Sequence, residues 1–208
     1  MMLLLYQNRG ILYIEKAAIR NHKLQNFVPL RKSEMLKLAN NIGISHKTYL
    51  SGPLQSNIVF YRPENDFILA WRYEKGEAHL FYAEQLNIKN GIKKLPFILF
   101  IIKNEKLYVY AYKEWEDHDT QLYYLPLHNV HSGNDVCMGN VNMKYTSNDT
   151  FKSFIAKIEY LFFALRGTSI HNSNAFPSNI NTLHNEIDDV FPIDKLVPIT
   201  KKLNQILK

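Results

Sequence analysis

Two stretches that read as strands, Phe97–Ile102 and Leu107–Tyr112, leave this chain little freedom in how it folds. They flank Lys103-Asn104-Glu105-Lys106, a polar turn of the kind that closes a hairpin. In the second strand Leu107, Val109 and Ala111 alternate with Tyr108, Tyr110 and Tyr112. Successive side chains on a strand point to opposite faces, so both faces here are substantially apolar. Such a sheet needs cover on each side, with helices on one face and further structure on the other.

The neighbouring segments supply the rest of that sheet. Ile58–Arg62 and Phe67–Tyr73 flank Pro63-Glu64-Asn65-Asp66, a second strong turn. His79–Ala83 and Leu122–Leu125 add two strands, and antiparallel hairpins in series predict a meander. Upstream, Leu3–Tyr6 and Ile11–Glu15 form a hairpin around Asn8-Arg9-Gly10. A short helix is predicted over Ser33–Ile42, with Ser33 as N-cap and Gly43 closing it. Downstream, Ser147-Asn148-Asp149 caps a helix to about Leu165. Its apolar set Phe151, Phe154, Ile155, Ile158, Leu161, Phe162 and Leu165 keeps the helical period, and Arg166-Gly167 ends it. A polar loop over 171–181 precedes a last helix over Asp194–Leu207, with Pro198 in its first turns. Strands in one run and helices in others predict an α+β fold. A chain of 208 residues is expected to form one domain, with residues 1–56 (hairpin and basic helix) joined to a core over 57–208. Whether the N-terminal hairpin and the C-terminal helix extend the sheet or cover it stays open at this level.

Charge is segregated. Residues 1–47 carry eight Lys/Arg against Glu15 and Glu34, and the remainder balances, so the whole net charge of +6 lies in the first quarter. Two readings fit that segment equally: an acidic partner, or an ordinary solvated face that happens to be basic. No aromatic-plus-basic stacking pattern accompanies the charge, so nucleic acid is not expected. A single cysteine excludes an internal disulfide and fits a reducing compartment. The start Met1–Tyr6 is too short for a signal sequence, and the apolar run Leu95–Ile102 is too short to span a bilayer. A soluble cytoplasmic protein without a membrane segment is expected.

That cysteine, Cys137, lies on a polar loop. The run is Leu127-His128-Asn129-Val130-His131-Ser132-Gly133-Asn134-Asp135-Val136-Cys137-Met138-Gly139-Asn140. Structural cysteines usually sit inside apolar runs, so Cys137 is the candidate reactive atom. Asn129 lies eight residues before it. His128, His131 and Cys137 have no fourth ligand at recognisable spacing, so no metal is expected, and no cofactor either.

These residues carry a resemblance. A helix, an antiparallel meander, an Asn-to-Cys loop of this spacing and then helices are similar to the ubiquitin-conjugating (E2) fold. A closer resemblance is to the prokaryotic E2-like family called PRTRC system protein B. It rests on Pro126-Leu127-His128-Asn129-Val130, Gly133 and Val136-Cys137-Met138-Gly139-Asn140. Supporting matches are Leu95-Pro96-Phe97, Leu107–Ala111, Thr120–Tyr123, and Phe162-Phe163 with His171. In this chain Leu127 and His128 stand where the eukaryotic loop has His-Pro.

The resemblance implies that Cys137 accepts a ubiquitin-like protein as a thioester from an E1/ThiF-like enzyme. A JAB-type metallopeptidase is a further implied neighbour, in a cassette on plasmids or mobile elements. A thiol suits this role because it is nucleophilic and its ester stays reactive towards amines. Asn129 would donate an amide N–H to the oxyanion or hold the loop by hydrogen bonds to backbone. His131 would assist the thiol, and Asp135 would orient the attacking amine or serve as a turn residue. Gly133, Gly139, Asn140 and His128 would shape the loop, although His128 and His131 also read as plain solvent-exposed residues. Arg31, Lys32 and Lys37 would dock the activating enzyme. Two other classes fit the residues: an E2-like module that binds a ubiquitin-like protein or a partition complex without chemistry, and a thiol hydrolase pairing Cys137 with His131 or His171.

Overall fold

A computed structural model describes residues 2–8, 11–20, 23–29, 50–63, 67–139, 143, 145–146, 148–168 and 191–207. The chain forms two compact units, Met1–Lys47 and Thr48–Lys208. In the first, β1 (Met2–Asn8), β2 (Ile11–Arg20) and β3 (Lys23–Pro29) make an antiparallel sheet in that order. The β1–β2 register runs from Met2↔Ala17 to Asn8↔Ile11, so the expected hairpin is present and longer than predicted. The third strand was not expected. The helix predicted over Ser33–Ile42 lies outside the described residues.

The second unit is built on the two-faced hairpin. Its strands are β4 (Ile58–Arg62), β5 (Ile68–Tyr73), β6 (Glu77–Tyr82), β7 (Gly91–Lys94), β8 (Phe97–Lys103), β9 (Lys106–Tyr112) and β10 (Gln121–Tyr123). After these come α1 (Phe151–Ala164), β11 (Arg166–Gly167), β12 (Pro198–Lys202) and the short α2 (Leu203–Ile206). The main sheet has six strands in the order β12-β10-β9-β8-β5-β4, every neighbouring pair antiparallel. The α+β class holds.

The meander is interrupted. β6 leaves the main sheet and joins a small one, ordered β11-β6-β7. Its side chains explain this. Leu80 and Tyr82 are buried, whereas Glu77, His79 and Phe81 are exposed, so β6 has one apolar face. β5 and β8 have two, and they pair directly, Ile68↔Lys103 through Tyr73↔Ile98.

Each face of the main sheet carries its own core. On one, Leu69, Trp71, Ile98, Phe100, Leu107 and Val109 meet the apolar stripe of α1, namely Phe151, Phe154, Ile155, Ile158 and Phe162. On the other, Ile68, Ala70, Leu99, Ile101, Tyr110 and Tyr112 meet Leu203 and Leu207. The helix predicted over Asp194–Leu207 is therefore corrected. Its middle, Pro198–Lys202, is β12, which pairs with β10 (Gln121↔Lys202, Tyr123↔Pro198), and helical turns remain only at its two ends, a 3-10 turn over Ile193–Lys195 and an α-turn over Leu203–Ile206. Pro198 is tolerated because it opens an edge strand. The C-terminal segment thus both extends the sheet and covers it. The N-cap of α1 is likewise Thr150, in a reciprocal capping box with Ser153, and not the Ser147–Asp149 stretch.

Candidate functional site

The chain leaves β10 and crosses the first core through Leu125, Leu127 and Val130, all buried. Then it turns tightly. Asn134 N–H donates to His131 O (2.8 Å) and His131 N–H to Asp135 O (2.8 Å), with Asn134 at φ +65°. The returning limb docks on β9, where the β10 pairing has already ended. Val109 N–H donates to Asn134 O (2.9 Å) and Val136 N–H to Leu107 O (2.8 Å). Val130 bridges Val136 across the turn. The loop is therefore a small hairpin seated on a sheet edge.

Strand alternation then sets the thiol. Val136 (8% exposed) and Met138 (6%) point into the core, and Cys137 between them points outward. Asp135, two residues back, shares the outward side of this limb. Burial pushes the Tyr110 hydroxyl pKa up, and neighbouring Tyr108 and the Asp135 carboxylate add to the rise. Asp135 thus lies within electrostatic reach of the tyrosine face of β9.

Asn129 is buried at φ +66°, a left-handed conformation that asparagine tolerates better than most residues. Its carbonyl accepts the Cys137 N–H (2.8 Å), and its side-chain Nδ2 donates to the Arg166 carbonyl (3.0 Å). One of its amide N–H groups is thus engaged by a backbone carbonyl. His128 is not solvent-exposed. It is 6% exposed and packs edge-to-face on Tyr82, ring centroids 5.3 Å apart. His131 is half-buried at the turn. Gly133 admits the Asp135 carboxylate, since an added Cβ would lie 3.0 Å from Oδ1, and Gly139 adopts φ +57°. Asn140, His171, Arg31, Lys32 and Lys37 lie outside the described residues.

Sequence reasoning missed β11. Arg166-Gly167 reads as a helix stop, yet it pairs in parallel with β6, Arg166↔Phe81 and Gly167↔Tyr82. Gly167 passes so close to His128 that an added Cβ would lie 2.8 Å from His128 Cβ. The glycine was the one available signal. Among the described residues no group of three or more His, Cys, Asp or Glu is placed to hold a metal ion. Among them, too, no helix is long and apolar enough to cross a membrane.

Residues 34–199 match a family model described as Prokaryotic E2 family D. The match supports the prokaryotic E2-like resemblance and does not extend to the narrower PRTRC system protein B name. Neither the curated proteins nor the solved structures gave a match to the chain.

Proposed function

From the premise that the chain belongs to prokaryotic E2 family D, we propose that Cys137 carries a ubiquitin-like protein as a thioester. Membership supports a role in a ubiquitin-like conjugation system, with a ubiquitin-like protein and an E1-like enzyme as partners in general. The observation that carries the finer reading is the thiol itself. It is exposed on a limb anchored by buried residues on either side and hydrogen-bonded at its own N–H. An incoming acyl group needs such a nucleophile: accessible, and fixed in direction.

In this reading the Cys137 thiolate attacks the carbonyl carbon of the thioester on the activating enzyme. The C–S bond to that enzyme breaks, and its thiolate leaves. A substrate amine later attacks the Cys137 thioester, the new C–N bond forms, the amine proton is lost to a base, and the Cys137 thiolate departs. Asp135 is the candidate to orient that amine, and His131 the candidate to take up the thiol proton. Asn129 holds the loop, and its second amide N–H is the candidate oxyanion donor. Gly133, Gly139, His128 and Asn140 shape the loop, and Arg31, Lys32 and Lys37 are the proposed docking set for the activating enzyme. A JAB-type metallopeptidase and a mobile-element cassette remain part of the proposal.

The test mixes the protein with ATP, the activating enzyme and the ubiquitin-like protein encoded beside it. Intact mass and non-reducing gels are read with and without dithiothreitol. The expected result is a modifier-sized adduct removed by dithiothreitol, which Cys137→Ser converts to a thiol-resistant ester. No adduct, with the activating enzyme shown to be charged, would replace this reading with the non-catalytic binding module.

A further inference from the structure

We propose that Arg166 and Gly167 are positioning residues for the Cys137 loop, acting through Asn129 and His128; as a statement about conjugation this rests on the thioester reading above. β11 is only two residues long, too short to hold itself in a sheet by pairing alone. Beside its pairing with β6, a backbone bond runs from Ala83 N–H, just past that strand, to Gly167 O (2.8 Å). The Arg166 side chain supplies another, Nε donating to Tyr82 O (3.1 Å). Its ion pair with Glu84 spans 3.8 Å to a side chain 98% exposed, and adds little. Tyr82 is itself fixed, its N–H donating to Asn90 Oδ1 (2.6 Å).

From this anchored strand the Arg166 carbonyl takes the Asn129 amide, and the Asn129 carbonyl takes the Cys137 N–H. Three hydrogen bonds in series therefore join β6 to the residue that bears the thiol. Gly167 fixes the same loop by contact. A Cβ there would meet His128 Cβ at 2.8 Å, His128 Cγ at 3.1 Å and Tyr82 Cδ1 at 3.2 Å. His128 precedes Asn129 and is pinned against Tyr82, so a methyl group at 167 must displace it. With one N–H held, the plane of the Asn129 amide is set, and with it the direction of the second N–H.

The experiment uses the full-length chain and the rate at which Cys137 reacts with iodoacetamide, followed as a function of pH. This readout needs no partner protein. Arg166→Met, Arg166→Gln, Gly167→Ala, Asn129→Ala and the double variant Arg166→Met/Asn129→Ala are compared. Arg166→Met and Gly167→Ala are expected to change the rate by up to about tenfold, the weight of one hydrogen bond, and to shift its pH profile. Arg166→Gln, whose Nε2 stands where the arginine Nε did and can donate to the Tyr82 carbonyl, should restore both. The double variant should react like Asn129→Ala alone, because the two residues act in one chain. Unchanged rates and profiles, or additive effects in the double variant, would overturn the proposal. Should Gly167→Ala not fold, the Arg166–Asn129 cycle decides alone. Thioester loading is scored separately. Coupled alkylation effects without loading would sink the conjugation reading and leave the positioning intact, whereas loading with additive effects would do the reverse.

Discussion

Glu159 projects from α1 into the first core, where its Oε1 accepts the Trp71 indole N–H (3.1 Å) and its Oε2 lies 3.8 Å from Lys75 Nζ. Burial raises its carboxyl pKa, against the opposing pull of Trp71 and Lys75. A carboxyl whose folded pKa is raised adds stability at pH below its unfolded pKa, and that stability is lost as pH climbs through the folded value. Glu159→Gln keeps an acceptor for Trp71 and removes the charge. The melting temperature of the variant, relative to the parent, should therefore rise from acid to neutral pH. A difference that stays flat would show that Trp71 and Lys75 cancel the desolvation, and one that moves the other way that they outweigh it. Asn129 shows what a sequence leaves illegible at this scale. Its spacing to Cys137 pointed to the loop, but its acceptor, the Arg166 carbonyl, belongs to a segment 37 residues away. No local pattern encodes that contact.

Among the elements, the C-terminal segment departs furthest from its sequence pattern. Leu196, Ile199, Leu203, Ile206 and Leu207 recur at helical spacing, yet Pro198–Lys202 is a strand. The exposed backbone edge of β10 recruits it, and tertiary pairing overrides a weak local preference. The apolar residues still do what the period required of them, since Leu203 and Leu207 cover the tyrosine face. Leu203 is 1% exposed. Leu203→Ala should cost about 2–5 kcal/mol in urea unfolding. A loss below about 1 kcal/mol would mean that α2 does not seal this face. α1 was easier to read because its stripe is long and its partner face is apolar throughout. β6 was misassigned to the meander because alternation identifies a strand and says nothing of which sheet it joins.

At the scale of the molecule, charge and architecture divide at the same place. The unit Met1–Lys47 holds the entire positive excess, and Thr48–Lys208 carries equal numbers of acidic and basic residues. Both apolar cores lie within the second unit. Residues 48–208 expressed alone should unfold in one cooperative transition by circular dichroism; a broad, non-cooperative melt would show that the first unit is needed for the core. The α+β class was legible because the two-faced hairpin demanded it, and the thiol because a lone cysteine on a glycine-bearing loop is conspicuous. The register of that loop on β9 has a consequence of its own. Side chains on an extended limb obey parity, so sliding the limb by one residue would turn the sulfur into the core and expel Val136 and Met138 into water. Expelling those two would cost on the order of 3–6 kcal/mol. The sulfur is thus presented in an all-or-none manner, and the two apolar neighbours act as a ratchet that admits shifts of two residues and forbids shifts of one.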